Sequence, residues 1–377
     1  MAELNETPRG NRIHIAFFGL RNAGKSTLVN AFTGQQLAIV SDVAGTTTDP
    51  VSKAMEILPL GPCLITDTAG LDDVGELGKE RVKKTLDVLA TTDVAVWVSS
   101  GLVDDSKTHQ TFEEECRARK VTALNFHRGE SAAELKQRIA SLQLTEVPPP
   151  LLDGLVKALD RVICVCPIDS SAPKGRLILP QQQVIRECLD LGAFCTVCQP
   201  DTLEAADPKT AALVVTDSQA FGAVRKTMLA VASATPLTSF SILFARQKGD
   251  LGEYEKGIAA LKKLRAGDRV LIAEGCTHHR QCKDIGMVQI PKALAKLSGT
   301  NDLALTPTSG TSFPLTAPDG KPFNLVVQCG GCMLTRREVK RRIALCREAG
   351  VPIVNYGMVL ATLNGIEVQP GSCIVKL

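Results

Sequence analysis

Ile13-His14-Ile15-Ala16-Phe17-Phe18-Gly19-Leu20-Arg21-Asn22-Ala23-Gly24-Lys25-Ser26-Thr27 opens on a compact apolar run and passes straight into a glycine-framed loop. Such a run reads as a buried strand, and Thr27 to Phe32 continues as helix-forming sequence. Strand, glycine loop and helix in that order, with the spacing G-x-x-x-x-G-K-[ST], make a phosphate cradle. Backbone N–H groups and a helix N-terminus face the phosphates, Lys25 reaches the outer ones, and the Ser26 hydroxyl ligates magnesium. The motif predicts Gly19, Asn22, Ala23, Gly24, Lys25, Ser26 and Thr27 around a nucleotide, in an α/β domain.

Working outward, Asp67-Thr68-Ala69-Gly70 follows a second apolar run, Cys63 to Thr66. Asp67 would support magnesium through water, and the Gly70 N–H would meet the γ-phosphate. Between the two loops lies Ser41-Asp42-Val43-Ala44-Gly45-Thr46-Thr47-Thr48-Asp49. A threonine here, Thr46 or Thr47, is expected to complete the magnesium shell and to let go after hydrolysis.

The order of these loops, and Ala44-Gly45-Thr46-Thr47 in particular, resembles the translation-factor-related GTPases of the tRNA-modification and Era-like branch. The resemblance implies GTP as ligand. It also implies that Asn22 coordinates a potassium ion standing in for an arginine finger. Position 71, where a water-orienting glutamine would sit, is Leu71, so another source of transition-state charge is required. A loop-capping side chain is the alternative role for Asn22. The family's base-reading Asn-Lys-x-Asp is here Asn125-Phe126-His127-Arg128, in which only Asn125 matches.

A second centre is Cys329-Gly330-Gly331-Cys332. Two thiols three positions apart on a glycine turn can hold one soft metal centre from one side. Cys276-Thr277-His278-His279 is the candidate for the remaining ligands. Val270 to Ala273 precedes one cluster and Leu325 to Val327 the other. If both runs are parallel strands of one sheet, the thiols emerge together at its carboxyl edge. Ordinary buried free cysteines are the plain alternative. Cys195-Thr196-Val197-Cys198 reads as a strand whose two thiols point to opposite faces, and Cys164 and Cys166 likewise read as core.

The chain of 377 residues is 44% apolar and 22% charged, with a net charge of +3. That is ordinary globular material, too weakly charged for a nucleic-acid footprint or membrane attraction. No uncharged apolar stretch approaches a membrane span, and no leader is expected from the first residues. Thirteen cysteines, an odd count spread widely, suit reduced thiols and a cytoplasmic location. Pro148-Pro149-Pro150 marks one boundary. The expected domains are 1–149 (P-loop GTPase), 150–234 (a small α/β unit) and 235–377 (an α/β domain carrying the thiols). Ser131 to Leu144 is expected as one helix, Pro352 to Asn355 as the closing strand, and Thr335 to Ala349 as a helix whose Arg336, Arg337, Lys340, Arg341 and Arg342 form a positive face.

Over all three domains, from the phosphate loop through Ala172-Pro173-Lys174-Gly175-Arg176-Leu177-Ile178-Leu179-Pro180-Gln181-Gln182, Leu237-Thr238-Ser239-Phe240-Ser241-Ile242 and Asn355-Tyr356-Gly357, the chain resembles the maturation GTPase family of iron-only (FeFe) hydrogenase. The resemblance implies a homodimer built on the middle unit and a four-iron four-sulfur cluster on Cys276, Cys329 and Cys332. It further implies a scaffold and carrier role, in which a two-iron H-cluster precursor from two radical-SAM maturases passes to apo-[FeFe]-hydrogenase. The family motif has histidine before the C-x-x-C, where this chain has Gln328. The fourth ligand is therefore open between His278, Gln328, water and an incoming precursor, with Cys282 a weaker choice. Two other readings stand beside this one: an RNA- or ribosome-associated GTPase, and a structural tetrahedral zinc on Cys276, His278, Cys329 and Cys332.

Overall fold

The computed structural model describes residues 7, 9–34, 51–72, 76–99, 101, 107–127, 129–144, 149–168, 175–275, 285–310 and 312–377. They form two compact units, Met1–Val147 and Pro148–Leu377. Among the described residues no helix is long and apolar enough to cross a membrane.

The first unit contains β1 (Ile13–Phe18), α1 (Lys25–Thr33), β2 (Val51–Ile57), β3 (Gly61–Asp67), α2 (Glu76–Thr91), β4 (Val94–Val98), α3 (Lys107–Ala118), β5 (Thr122–Phe126) and α4 (Ala132–Ala140). Its sheet has the order β2-β3-β1-β4-β5, parallel except for β2. Alternation along β1 explains its continuous apolar sequence. Ile15 and Phe17 join Leu28, Val29, Phe32, Leu135 and Ile139 in one core, while Ala16 and Phe18 join Trp97, Phe112 and Cys116 in another. Both faces are covered by helices, as a parallel sheet requires. Helix α4 is shorter than the expected run to Leu144. Ser131 and Glu134 cap it reciprocally, and it ends at Ser141.

The second unit contains β6 (Arg161–Val165), α5 (Leu179–Asp190), β7 (Phe194–Cys198), β8 (Leu213–Thr216), α6 (Phe221–Ala230), β9 (Leu237–Ser239), α7 (Phe240–Lys248), α8 (Leu251–Leu261), β10 (Arg269–Ala273), α9 (Ile290–Ser298), β11 (Ala304–Thr308), β12 (Leu325–Gln328), α10 (Arg336–Glu348), β13 (Ile353–Asn355), α11 (Tyr356–Leu363), β14 (Glu367–Val368) and β15 (Val375–Lys376). The strands make a six-stranded sheet, β14-β15-β9-β8-β6-β7, and a four-stranded one, β11-β10-β12-β13. One continuous apolar core runs through both sheets.

The expected boundary between residues 234 and 235 falls between β8 and β9, which pair in parallel. The chain also returns to the first of these sheets at its end, since β15 pairs antiparallel with β9. Strand β13 is thus followed by a helix and a hairpin. The short hairpin strands have two residues each, too few for a period-two pattern to show in sequence.

Two of the five cations expected on the positive face of α10 are engaged internally. Arg342 is wholly buried, donating from Nε to Glu338 Oε1 (2.7 Å) and from Nη2 to the Gly310 carbonyl (2.6 Å). Arg341 grips the same Glu338 through Nε and Nη2 at 2.8 and 3.1 Å.

Candidate functional site

The first unit brings the predicted phosphate residues together at the carboxyl ends of β1 and β3. Gly19 leaves β1 so close to β4 that a Cβ would run into the Val98 carbonyl. Asn22 holds a left-handed φ of 57° and Gly24 one of 90°, the curled backbone that turns successive N–H groups inward. Ala23 N–H closes the loop on the Leu20 carbonyl (3.3 Å). Helix α1 then starts at Lys25, with Ser26 and exposed Thr27 in its first turn.

Lys25 Nζ donates to the carbonyls of Gly19 (3.2 Å) and Leu20 (2.7 Å), so its charge is held over the loop that would carry phosphates. Ser26 Oγ donates to Asp67 Oδ2 at 2.6 Å. Burial raises the Asp67 pKa, opposed by the Ser26 hydrogen bond and by Lys25. Asp67 Oδ1 is buried with no hydrogen-bond partner among the described residues. A hydroxyl, a carboxylate and an orphaned carboxylate oxygen at a helix N-terminus fit a hydrated magnesium ion.

Gly70 is closely packed, since a Cβ there would lie 2.6 Å from Arg21 Cγ and 2.9 Å from Arg21 N. Leu71 N–H reaches the Gly19 carbonyl (3.3 Å), and Asp72 Oδ1 accepts from Arg21 N–H at 2.6 Å. Arg21 and Asp72 thus tie the two loops together, a contact sequence reasoning missed. Asn125 stands at the end of β5, and its Oδ1 lies 3.2 Å from His109 Nε2 of α3. Thr46 and Thr47 lie outside the described residues.

In the second unit, β10 and β12 are neighbouring parallel strands with Ala273 opposite Gln328, the arrangement expected from their apolar runs. Gly275 N–H donates to Cys329 Sγ over 3.1 Å. Cys276 and His278 themselves lie outside the described residues, as does Cys282. Gly331 turns the chain with φ 68° between the two thiols. Burial pushes the Cys329 thiol up, and pushes Cys332 up to about 11 with Cys329 adding to it. A metal entering here must displace those protons. Gln328 is buried, and its Nε2 donates to the Tyr254 hydroxyl of α8 at 3.3 Å.

Three stretches distant in sequence meet at this turn. Asn355 caps α11, accepting at Oδ1 from Gly357 N–H (2.7 Å) and from the Ser241 hydroxyl (3.0 Å). Its Nδ2 donates to the Cys329 carbonyl at 3.4 Å. Lys248, at the end of α7, donates from Nζ to the carbonyls of Gly331, Cys332 and Leu334. Lys248 was not anticipated, although its spacing of four from Phe244 and eight from Phe240 places it on the buried stripe of α7. Burial pulls its pKa down to about 8, with Cys332 and Cys329 opposing. Two thiols on a pinned turn, an N–H directed at sulfur and a nearby cation fit a thiolate-bound metal centre. Cys164, Cys166, Cys195 and Cys198 are free thiols, with Cys195 Sγ 3.6 Å from Cys164 Sγ.

Residues 151–249 match the hydrogen maturase F dimerization domain, and residues 252–369 the hydrogen maturase F tetramerization domain. The chain belongs to the hydrogen maturase F family. Residues 14–126 match the 50S ribosome-binding GTPase model, so this member of the hydrogen maturase F family begins with a GTPase domain. Among relatives it is 33% identical over 167 residues to the tRNA modification GTPase MnmE of Paramagnetospirillum magneticum, a match covering 42% of this chain and 37% of that protein. It is 39% identical over 99 residues to the GTPase Der of Wolinella succinogenes, covering 26% and 20%. The chain thus spans well under half the length of these relatives. Among solved structures, Era of Aquifex aeolicus bound to GDP and aluminium fluoride covers 79% of this chain and 92% of its own at 15% identity and a TM-score of 0.27. Toc33 of Arabidopsis thaliana covers 34% and 58% at 21% identity and a TM-score of 0.26.

Proposed function

We propose that this chain is a GTP-hydrolysing scaffold and carrier that holds a four-iron four-sulfur cluster and delivers a two-iron H-cluster precursor to apo-[FeFe]-hydrogenase. The observation that carries the reading is the hydrogen bond from Gly275 N–H to Cys329 Sγ. It brings the residue before Cys276 within bonding distance of the C-x-x-C turn, across two strands that sequence alone cannot join. Cys276, Cys329 and Cys332 would hold the cluster, with His278 the competing internal ligand. Three thiolates leave one iron with an exchangeable ligand, which is the chemistry a carrier needs.

At the nucleotide site the chain's own groups account for binding. With nucleotide bound, Lys25 would exchange the Gly19 and Leu20 carbonyls for phosphate oxygens, and Ser26 would turn its oxygen from Asp67 to magnesium. Asp67, buried beside it, would hold a water on the ion. Thr46 or Thr47 would complete the magnesium shell, Gly70 would meet the γ-phosphate, and Asn22 would recruit potassium in place of an arginine finger. With Leu71 at the water-orienting position, turnover is slow. Asn125 is the remaining base-edge contact.

Residues 150–234 carry the homodimer contact in this reading. Strand β7 is the outermost strand of its sheet, and Phe194 and Val197 on it are 60% and 46% exposed. An exposed apolar edge of this kind pairs readily with a second chain. The partners are two radical-SAM maturases and apo-[FeFe]-hydrogenase, in the cytoplasm, with neither nucleic acid nor membrane involved.

The test is transfer. Protein purified without oxygen and incubated with the two maturases should activate apo-hydrogenase after re-isolation. A colourless protein carrying stoichiometric zinc and giving no activation would leave the structural zinc reading. Co-purifying RNA without activation would leave an RNA-directed GTPase.

A further inference from the structure

Lys248 is 2% exposed at the end of α7, in surroundings unusual for a cation. Its Nζ lies 3.1 Å from the Gly331 carbonyl, 3.3 Å from Cys332 and 2.7 Å from Leu334. Three carbonyl oxygens are acceptors only, so three donated hydrogens are needed, and only an ammonium supplies them. A neutral amine would turn a lone pair against one of the three oxygens. The face of the Phe244 ring sits 5.1 Å away, which favours the charge as well. Among the described residues no carboxylate pairs with it. A buried charge without a counter-ion is costly. Among the described residues, Cys329 and Cys332 are the groups beside it that could become anions.

The carbonyls have a second consequence. In a trans peptide the N–H points away from the carbonyl of the same plane. The Gly331 and Cys332 carbonyls face Lys248, so the N–H groups of Cys332 and Met333 are aimed to the other side. Holding the carbonyls therefore fixes the backbone of the turn that carries Cys332, beside Cys329, whose sulfur already accepts from the Gly275 N–H; fixed charge and dipoles around a metal-binding sulfur tune its potential.

We infer that Lys248 is the built-in counter-cation and positioning residue of the thiolate centre: it pins the Gly331–Leu334 backbone and raises the reduction potential of the bound cluster. The inference rests on the cluster proposed above and concerns how this chain tunes it. Removing a fixed positive charge makes reduction, which adds negative charge, harder. Arginine would keep the charge while altering the reach.

The experiment compares wild type, Lys248→Met and Lys248→Arg, each reconstituted with ferrous iron and sulfide without oxygen. Iron content, the melting temperature of the metal-free protein and the midpoint potential of the cluster are measured. Lys248→Met should shift the one-electron midpoint downward by at least a tenfold change in the equilibrium, about 59 mV, while Lys248→Arg stays near wild type. A Lys248→Met protein that loses its iron while Lys248→Arg keeps it also supports the inference. Equal midpoints in wild type and Lys248→Met would overturn it and leave the cluster intact as a proposal. So would equal iron loss in both variants alongside equally lowered melting of the metal-free proteins, the mark of a packing role alone. Wild type that takes up no iron would overturn the cluster reading and this inference with it.

Discussion

Ser26 Oγ donates to Asp67 Oδ2 over 2.6 Å, joining the first turn of α1 to the end of β3. The other Asp67 oxygen is buried without a partner among the described residues, so this carboxylate is set for an ion. Hydrogen bonds to charged groups contribute about 1.5–3 kcal/mol. Asp67→Asn should therefore weaken magnesium-dependent GTP binding by roughly ten- to a hundredfold. Magnesium-free binding should change little. Titration calorimetry with and without magnesium measures both, and an unchanged magnesium response would remove Asp67 from the ion's shell.

Asn22 sits with φ 57° on the rim of the loop and is exposed. Hydrolysis in potassium buffer should exceed that in sodium by roughly tenfold or more, since an arginine finger, the charge that potassium would replace here, is worth roughly 10³–10⁵ in kcat. Asn22→Ala should abolish the difference. Equal rates in both buffers for wild type would leave Asn22 as a loop cap.

His14 lies buried at the start of β1, with Nε2 3.2 Å from the Arg9 carbonyl. Burial lowers its pKa below the ordinary histidine value of 6.5, against the opposing pull of Asp93. The unfolded chain therefore takes up the proton first as pH falls. His14 contributes stability that is fully present above pH 6.5 and is lost below it, at no more than about 1.4 kcal/mol per pH unit for one proton. Trp97, the single tryptophan, is wholly buried in this unit and reports its unfolding. Urea midpoints followed by its fluorescence should fall between pH 6.5 and 5, less steeply in His14→Gln. The same slope in both proteins would assign the acid sensitivity to other groups.

Phe194 and Val197 stand exposed on the outer strand of the six-stranded sheet. Burying a side chain of this size is worth about 1.5–3 kcal/mol, and a twofold axis uses it twice. Phe194→Glu with Val197→Lys should raise the dimer dissociation constant at least about a hundredfold. Light scattering that finds the double variant still dimeric at micromolar concentration would put the interface elsewhere.

The phosphate cradle was legible because each of its residues lies within one local strand-loop-helix motif. That β10 and β12 are buried strands was legible because both runs are continuously apolar, as strands of a parallel sheet covered on both faces must be; that they pair with each other came from the structure. What escaped was non-local. Nothing near Leu237 announces that β9 pairs with β15, because the partner lies more than a hundred residues away. Arg341 and Arg342 read as a charged face; the three- and four-residue spacing from Glu338 permits the ion pairs, but the burial of Arg342 against the distant Gly310 carbonyl does not show in the local sequence. Lys248 was hidden for the opposite reason. A lysine ending an apolar helix looks like an ordinary charged cap until the carbonyls of a distant turn are found around it.

The central claim is that Cys276, Cys329 and Cys332 hold an iron–sulfur cluster, and its most direct measurement is iron content with electron paramagnetic resonance after reconstitution without oxygen. The account predicts about four iron atoms per chain for wild type and loss of most of them in each single Cys→Ser variant. In His278→Ala the iron should stay while the signal alters. Cys329→Ser retaining the iron and the wild-type signal would contradict it.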